Sequence, residues 1–221
     1  MNRLRSPGGC PWDAEQTHES LRKYLIEECF ELIEAIEDND RAAIREELGD
    51  VLLQVLFHAR VAAEDPADPF TIDDVAAGLV DKLVSRHPHV FAGGDPEVRD
   101  SSTQEKRWEE LKQDEKKRES SIDGVALGQP ALALAAKLAQ RTDRAGFPVD
   151  LLPAGTDMAS RIFTTAAAAR LAGEDPEGDV RAVSRKFAED VRTAERAARD
   201  AGVDPAAMGA EQWRRFWPSQ T

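Results

Sequence analysis

LIEECFELIEAIE, residues 25–37, and REELGDVLLQVLFHARV, residues 45–61, decide how this chain folds. In the first stretch Glu27, Glu28 and Glu31 recur at helical spacing. At about 100° per residue they fall, with Glu34, within one arc of about 120°, while Leu25, Ile26, Phe30, Leu32, Ile33 and Ile36 fill the opposite arc. Alone, this is an amphipathic helix with a solvated acidic face. The second stretch changes that reading. Glu47 and Asp50 sit i,i+3 on a helix that is apolar nearly all round, and Phe57 and Val61 share the angular strip of Asp50. A carboxylate pair aligned with large apolar side chains is drawn out of water, which is costly unless a cation compensates it.

The two helices are joined by a short turn at Asp38 to Asp40, so they form a hairpin with Glu28, Glu31, Glu47 and Asp50 facing one another. Four carboxylates make a hard, all-oxygen site. It suits Mg²⁺ or Mn²⁺, which take carboxylates, waters and substrate phosphates, better than zinc, which favours histidine and cysteine. A di-iron bundle would need Glu-x-x-His where this chain has Glu47-Leu48-Gly49-Asp50. The pairs Glu97/Asp100 and Glu174/Glu177 repeat the spacing, but their proline and glycine neighbours place both in loops.

Outward from the hairpin, helical signals dominate and strict apolar/polar alternation is nearly absent, which predicts an all-α fold. The pattern predicts a Gly/Pro loop at Ser6 to Pro11, helices over 17–37 and 41–64, and a turn at Asp65 to Pro69. A helix capped by Thr71, Asp73 and Asp74 then runs to Arg86. His87 to Asp100 reads as a loop, and 103–120 as a charged, exposed helix leading into a linker at Ser120 to Pro130. Alanine-rich helices follow over 131–145, 156–171 and 179–201. The shift in composition places a domain boundary near residue 125, giving regions 1–124 and 125–221; the second is either an independent domain or a packing extension of the first.

Composition excludes several classes. The 29 Lys and Arg against 42 Asp and Glu leave a formal charge of -13, which repels a nucleic-acid backbone, and no local basic patch offsets it. A phosphate-bearing ligand would therefore arrive with divalent cations. Cys10 and Cys29 form neither a CxxC pair nor a disulfide framework, consistent with a reducing, cytoplasmic setting. The N-terminus lacks a signal-peptide core, and no apolar run reaches membrane-spanning length.

At these residues the chain resembles the MazG family, whose pattern pairs EExxE with a later ExxD. Here those are Glu27-Glu28-Cys29-Phe30-Glu31 and Glu47-Leu48-Gly49-Asp50. GCPWDAEQTHESL from Gly9 and KLVSRHPHVFAG from Lys82 are similar to further stretches of bacterial MazG proteins. The likeness is strong over about residues 4–120 and weak beyond. It implies hydrolysis of (deoxy)nucleoside triphosphates to the monophosphate and pyrophosphate, Mg²⁺ dependence, an all-α fold and a homodimer. By position, Glu28, Glu31, Glu47 and Asp50 would ligate the metal. Glu27 would stand beside it or activate water. Lys82 and Arg86 resemble a pair that contacts nucleotide phosphates; without the resemblance they are a solvated basic edge. The second half is similar to a decayed second repeat, because MASRIFTTAAAARLAG stands where its acids belong. A packing or dimer-supporting role without a metal is expected there.

In the implied chemistry the acids hold Mg²⁺ against the triphosphate while Glu27 or Glu31 orients or deprotonates the attacking water. Trp12 either stacks on the base or anchors the CPWD turn, with the anchor slightly favoured. His18, His87 and His89 lack metal-site spacing and read as structural or rim hydrogen-bonding groups, and His58 as a satisfied interior histidine. Readings from other classes are a noncatalytic Mg²⁺/nucleotide-sensing or protein-interaction module, and a structural bundle with solvent-facing acids.

Overall fold

A computed structural model describes residues 1–91 and 119–218. The described residues form helices and turns with no strand, so the fold is all-α as the sequence predicts. The chain divides into two compact units, Met1–Lys112 and Gln113–Thr221.

The first unit comprises α1 (Asn2–Arg5), α2 (Pro11–Glu15), α3 (His18–Glu37), α4 (Arg41–Ala62), α5 (Ile72–Arg86) and α6 (Pro88–Phe91). Its principal contact is the hairpin of α3 on α4. Thr17 starts α3 through a capping box: its hydroxyl accepts from the Ser20 N–H at 3.2 Å, and Ser20 Oγ accepts from the Thr17 N–H at 2.9 Å. Between the helices Asn39 takes a left-handed φ of 54°, a conformation that asparagine's short polar side chain tolerates. Asp40 then starts α4 by accepting from the N–H groups of Ala42 and Ala43 at 2.9 and 3.1 Å. Thr71 and Asp74 form the capping box of α5, within the set of three residues expected there.

Two short helices flank the expected loop at Ser6 to Pro11. The chain doubles back so tightly that a Cβ at Gly9 would collide with the carbonyls of Arg3 and Leu4, so glycine is required there. Arg5 secures this N-terminal segment. Its side chain, 4% exposed, donates to Glu64 at 3.0 and 2.7 Å, to the Gln16 carbonyl at 3.0 Å and to the Asp13 carbonyl, with its guanidinium over the Phe57 ring. The Arg5 hydrogen bond holds the Glu64 carboxyl below its ordinary pKa.

The apolar arc of α3 differs from the sequence picture of a covered face. Leu21 and Ala35 are buried, but Ile26 and Ile36 are 56% and 55% exposed and Phe30 is also exposed. Leu48, Leu52, Leu53 and Val55 on α4 and Leu79, Val80, Leu83 and Val84 on α5 are likewise exposed. The described helices of this unit leave these three apolar faces partly uncovered.

Part of the predicted loop from His87 forms the short α6. Residues 92–118, including Glu97, Asp100 and most of the expected charged helix at 103–120, lie outside the described residues.

The second unit contains α7 (Ala131–Arg144), a 3₁₀ turn at Val149–Leu151, α8 (Met158–Leu171), α9 (Pro176–Asp200) and α10 (Ala210–Phe216). Alanines at 135, 136, 139, 166 and 167 are buried where α7 packs on α8, joined by Ala194 and Ala198 of α9. Helix α9 begins at Pro176, earlier than expected, because proline is well suited to the first helical turn. Glu177 is consequently helical rather than in a loop, and its carboxylate accepts from the Ala133 N–H at 3.3 Å and from Arg181 at 3.4 Å. Helix α10 was not anticipated, its seven residues being too short for a periodic signal.

Candidate metal centre

The hairpin turns the helical spacing of the acids into a cluster. Glu28 on α3 and Glu47 and Asp50 on α4 are half-buried, and one carboxylate oxygen from each lies within 4.8 Å of the others. Partial burial first, then Asp50, the Glu31 carboxyl and Glu47, push the Glu28 pKa above its ordinary value. For Glu47 partial burial again leads, followed by Glu31, Asp50 and Glu46. Glu28 and Glu47 thus resist ionisation beside their acidic neighbours. No lysine or arginine among the described residues forms an ion pair with Glu28, Glu47 or Asp50. A donor set of carboxylate oxygens that repel one another and lack an internal cation fits a hard divalent ion.

Glu31 lies one turn along α3 from Glu28, exposed, close enough to act on Glu28 and Glu47 but outside the tight trio. Glu27 is exposed and also outside it. On α5, Lys82 is exposed, whereas Arg86 is buried, so Arg86 is not part of a solvated basic edge.

Trp12 meets Tyr24 edge to face at 5.7 Å between centroids and Phe57 at 6.4 Å, while remaining 49% exposed. It is therefore a partial anchor with a free face. His58 is not satisfied as the sequence implied. Its Nδ1 lies 2.7 Å from Nδ1 of His18, with the two rings stacked, but its Nε2 is buried without a partner. Burial first and His18 second push its pKa down. His87 Nδ1 lies 2.7 Å from the Leu83 carbonyl, a local structural contact, and His89 Nδ1 is buried with no partner.

Sequence reasoning passed over Gln54 and Tyr24, which line a cavity with Trp12, Phe57 and Glu28. The available signal was the single amide interrupting VLLQVLF, one turn beyond Asp50.

The first unit is thus an all-α scaffold carrying a cluster of three carboxylates close enough together to share one metal ion. A family model, the MazG nucleotide pyrophosphohydrolase domain, matches residues 16–91. The chain is 50% identical over 196 residues to an uncharacterized 26.1 kDa protein of the blaB 3' region of Streptomyces cacaoi, covering 88% of this chain and 79% of that one. It is 44% identical over 233 residues to the nucleoside triphosphate pyrophosphohydrolase of Mycolicibacterium smegmatis, covering 99% of this chain and 67% of the relative. It is also 37% identical over 240 residues to the nucleoside triphosphate pyrophosphohydrolase/pyrophosphatase MazG of Thermotoga maritima, covering 98% and 91% respectively. The chain belongs to the MazG family.

Proposed function

We propose that this chain hydrolyses (deoxy)nucleoside triphosphates to the monophosphate and pyrophosphate, using Mg²⁺, with Mn²⁺ as a substitute. The observation that carries this reading is the carboxylate trio of Glu28, Glu47 and Asp50, unpaired with any described cation. The activity named for the Mycolicibacterium smegmatis and Thermotoga maritima relatives supports it.

In this reading Glu28, Glu47 and Asp50 hold the ion, and Glu31 completes its shell or steadies Glu28. When bound, the ion neutralises phosphate charge and makes water more acidic. Glu27, exposed beside the cluster, orients or deprotonates the attacking water. Lys82 and Arg86 contact the phosphates, and Trp12 contacts the nucleoside. Region 1–124 is the catalytic domain, and 125–221 supports packing or assembly. We infer a homodimer, because large apolar side chains stand exposed on α3, α4 and α5 among the described residues. Removal of unwanted nucleotides from the cytoplasmic pool is the expected role. Among the described residues no helix is long and apolar enough to cross a membrane.

The test is pyrophosphate release from (d)NTPs with Mg²⁺. Release is expected from the native protein and is lost in Glu28→Gln and Asp50→Asn. Undiminished turnover in both variants contradicts the assignment.

A further inference from the structure

Beside the carboxylate trio, on the N-terminal side of the first unit, lies a cavity of about 220 Å³. Trp12, Tyr24 and Phe57 contribute aromatic walls, Gln54 an amide, and Glu28 belongs to both cavity and metal cluster. Gln54 is 5% exposed, and its Oε1 is buried without a hydrogen-bond partner. A buried amide oxygen left unpaired costs folding free energy, a cost that an N–H donor entering the cavity offsets. Helix geometry gives it a definite place. Gln54 follows Asp50 by four residues on α4, so the amide lies on the same helical face as the metal-site acid, one turn along.

The required ligand is constrained by chemistry. It must offer a flat ring to edge-to-face aromatics, an N–H to Gln54 Oε1, and an anionic group near enough for a cation held at Glu28. A nucleobase joined through its sugar to a phosphate chain meets all three conditions. A free anion meets only the last, and an apolar molecule only the first. We propose that this cavity receives the nucleobase and that Gln54 is the residue that reads its edge. Trp12, with one face uncovered, closes over the ring from the solvent side. This deepens the proposed pyrophosphohydrolase function and rests on it for the identity of the phosphate chain.

A site built to hydrogen-bond a substrate discriminates sharply, because the wrong ligand leaves the buried group unpaired. The direct test is calorimetric binding of the α,β-methylene analogues of ATP, GTP, CTP and UTP, with Mg²⁺, to the native protein and to Gln54→Met. Methionine keeps the length of the side chain but cannot accept from the base with an amide's strength. The variant is expected to melt at the same temperature or higher, since an orphan oxygen is gone. It should bind the preferred analogue roughly tenfold or more weakly and compress the ranking among the four bases. Gln54→Leu serves as the second variant should methionine disturb the fold.

Unchanged affinities and ranking in a folded variant overturn the assignment, as does an equal loss for all four bases. Inorganic triphosphate with Mg²⁺ is the control for phosphate binding alone, and its affinity should not depend on Gln54. Should the native protein bind the analogues with a Gln54-dependent ranking yet release no pyrophosphate from NTPs, the catalytic reading fails and the base site stands. Should it release pyrophosphate while Gln54→Met leaves base preference intact, the base site fails and the catalytic reading stands.

Discussion

The hairpin of α3 and α4 and the hairpin of α7 and α8 use the same two-helix device for opposite ends. In α7 and α8 the facing positions are alanines, buried because small side chains let helix backbones approach closely. An acid beside that hairpin, Glu177, is neutralised by the chain itself, accepting from a backbone N–H and from Arg181. Between α3 and α4 the facing positions carry Glu28, Glu47 and Asp50, and no described cation pairs with them. The contrast separates structural from functional carboxylates. A partnered acid has spent its charge on the fold, whereas a crowded, unpartnered set keeps its charge for an external ion.

The largest effect that sharpens this contrast is expected at the unpartnered acids. Asp50→Asn and Glu28→Gln should each lower pyrophosphate release on the order of a thousandfold. Without metal both variants should melt at or above the native temperature at neutral pH, because like-charge repulsion is relieved. Thermal melts beside turnover assays check this, and a large loss of metal-free stability would show the acids to be structural after all.

Partnered groups should behave the other way. Arg5→Met removes the nearer of two cations beside Glu64, leaving Arg60 at 3.3 Å, together with the donor to two carbonyls, and should cost about 2–4 kcal/mol in urea denaturation. Because the folded pKa of Glu64 is lowered, its pairing stabilises above the ordinary glutamate value of 4.5 and is lost as pH falls through the folded pKa. The acid limb of the stability curve should therefore flatten in Arg5→Met.

A smaller pH effect is expected from the stacked imidazoles. The folded pKa of His58 is lowered, so the unfolded chain takes up its proton first, and stability should decline as pH falls below the ordinary value of 6.5. Urea midpoints measured across pH 5 to about 8 should show that slope in the native protein and lose it in His58→Gln. Least of all, Glu177→Gln should cost about 0.5–1 kcal/mol and leave turnover unchanged.

Much of this was legible in the residues. The all-α class and the α3–α4 hairpin follow from helical periodicity and from the short turn at Asp38 to Asp40. That Glu28, Glu47 and Asp50 converge follows from acids at i,i+3 on helices joined by a three-residue turn. Burial was less legible, because a hydrophobic arc says that something covers it, not whether the cover belongs to the same chain; Ile26 and Ile36 are the clear cases. Short elements such as α1, α2 and α10 carry too few residues for periodicity to register. Gln54 was overlooked because an isolated polar residue in an apolar helix becomes informative only when its partners, or their absence, can be seen.

The most direct measurement of the central claim is a Mn²⁺ titration followed by electron paramagnetic resonance, with Mg²⁺ as competitor, on the native chain and on Asp50→Asn. Saturable binding that Mg²⁺ displaces, and that the substitution weakens at least about tenfold, is the predicted result. Equal Mn²⁺ binding by both proteins, or none by the native chain with a nonhydrolysable nucleotide present, would contradict it.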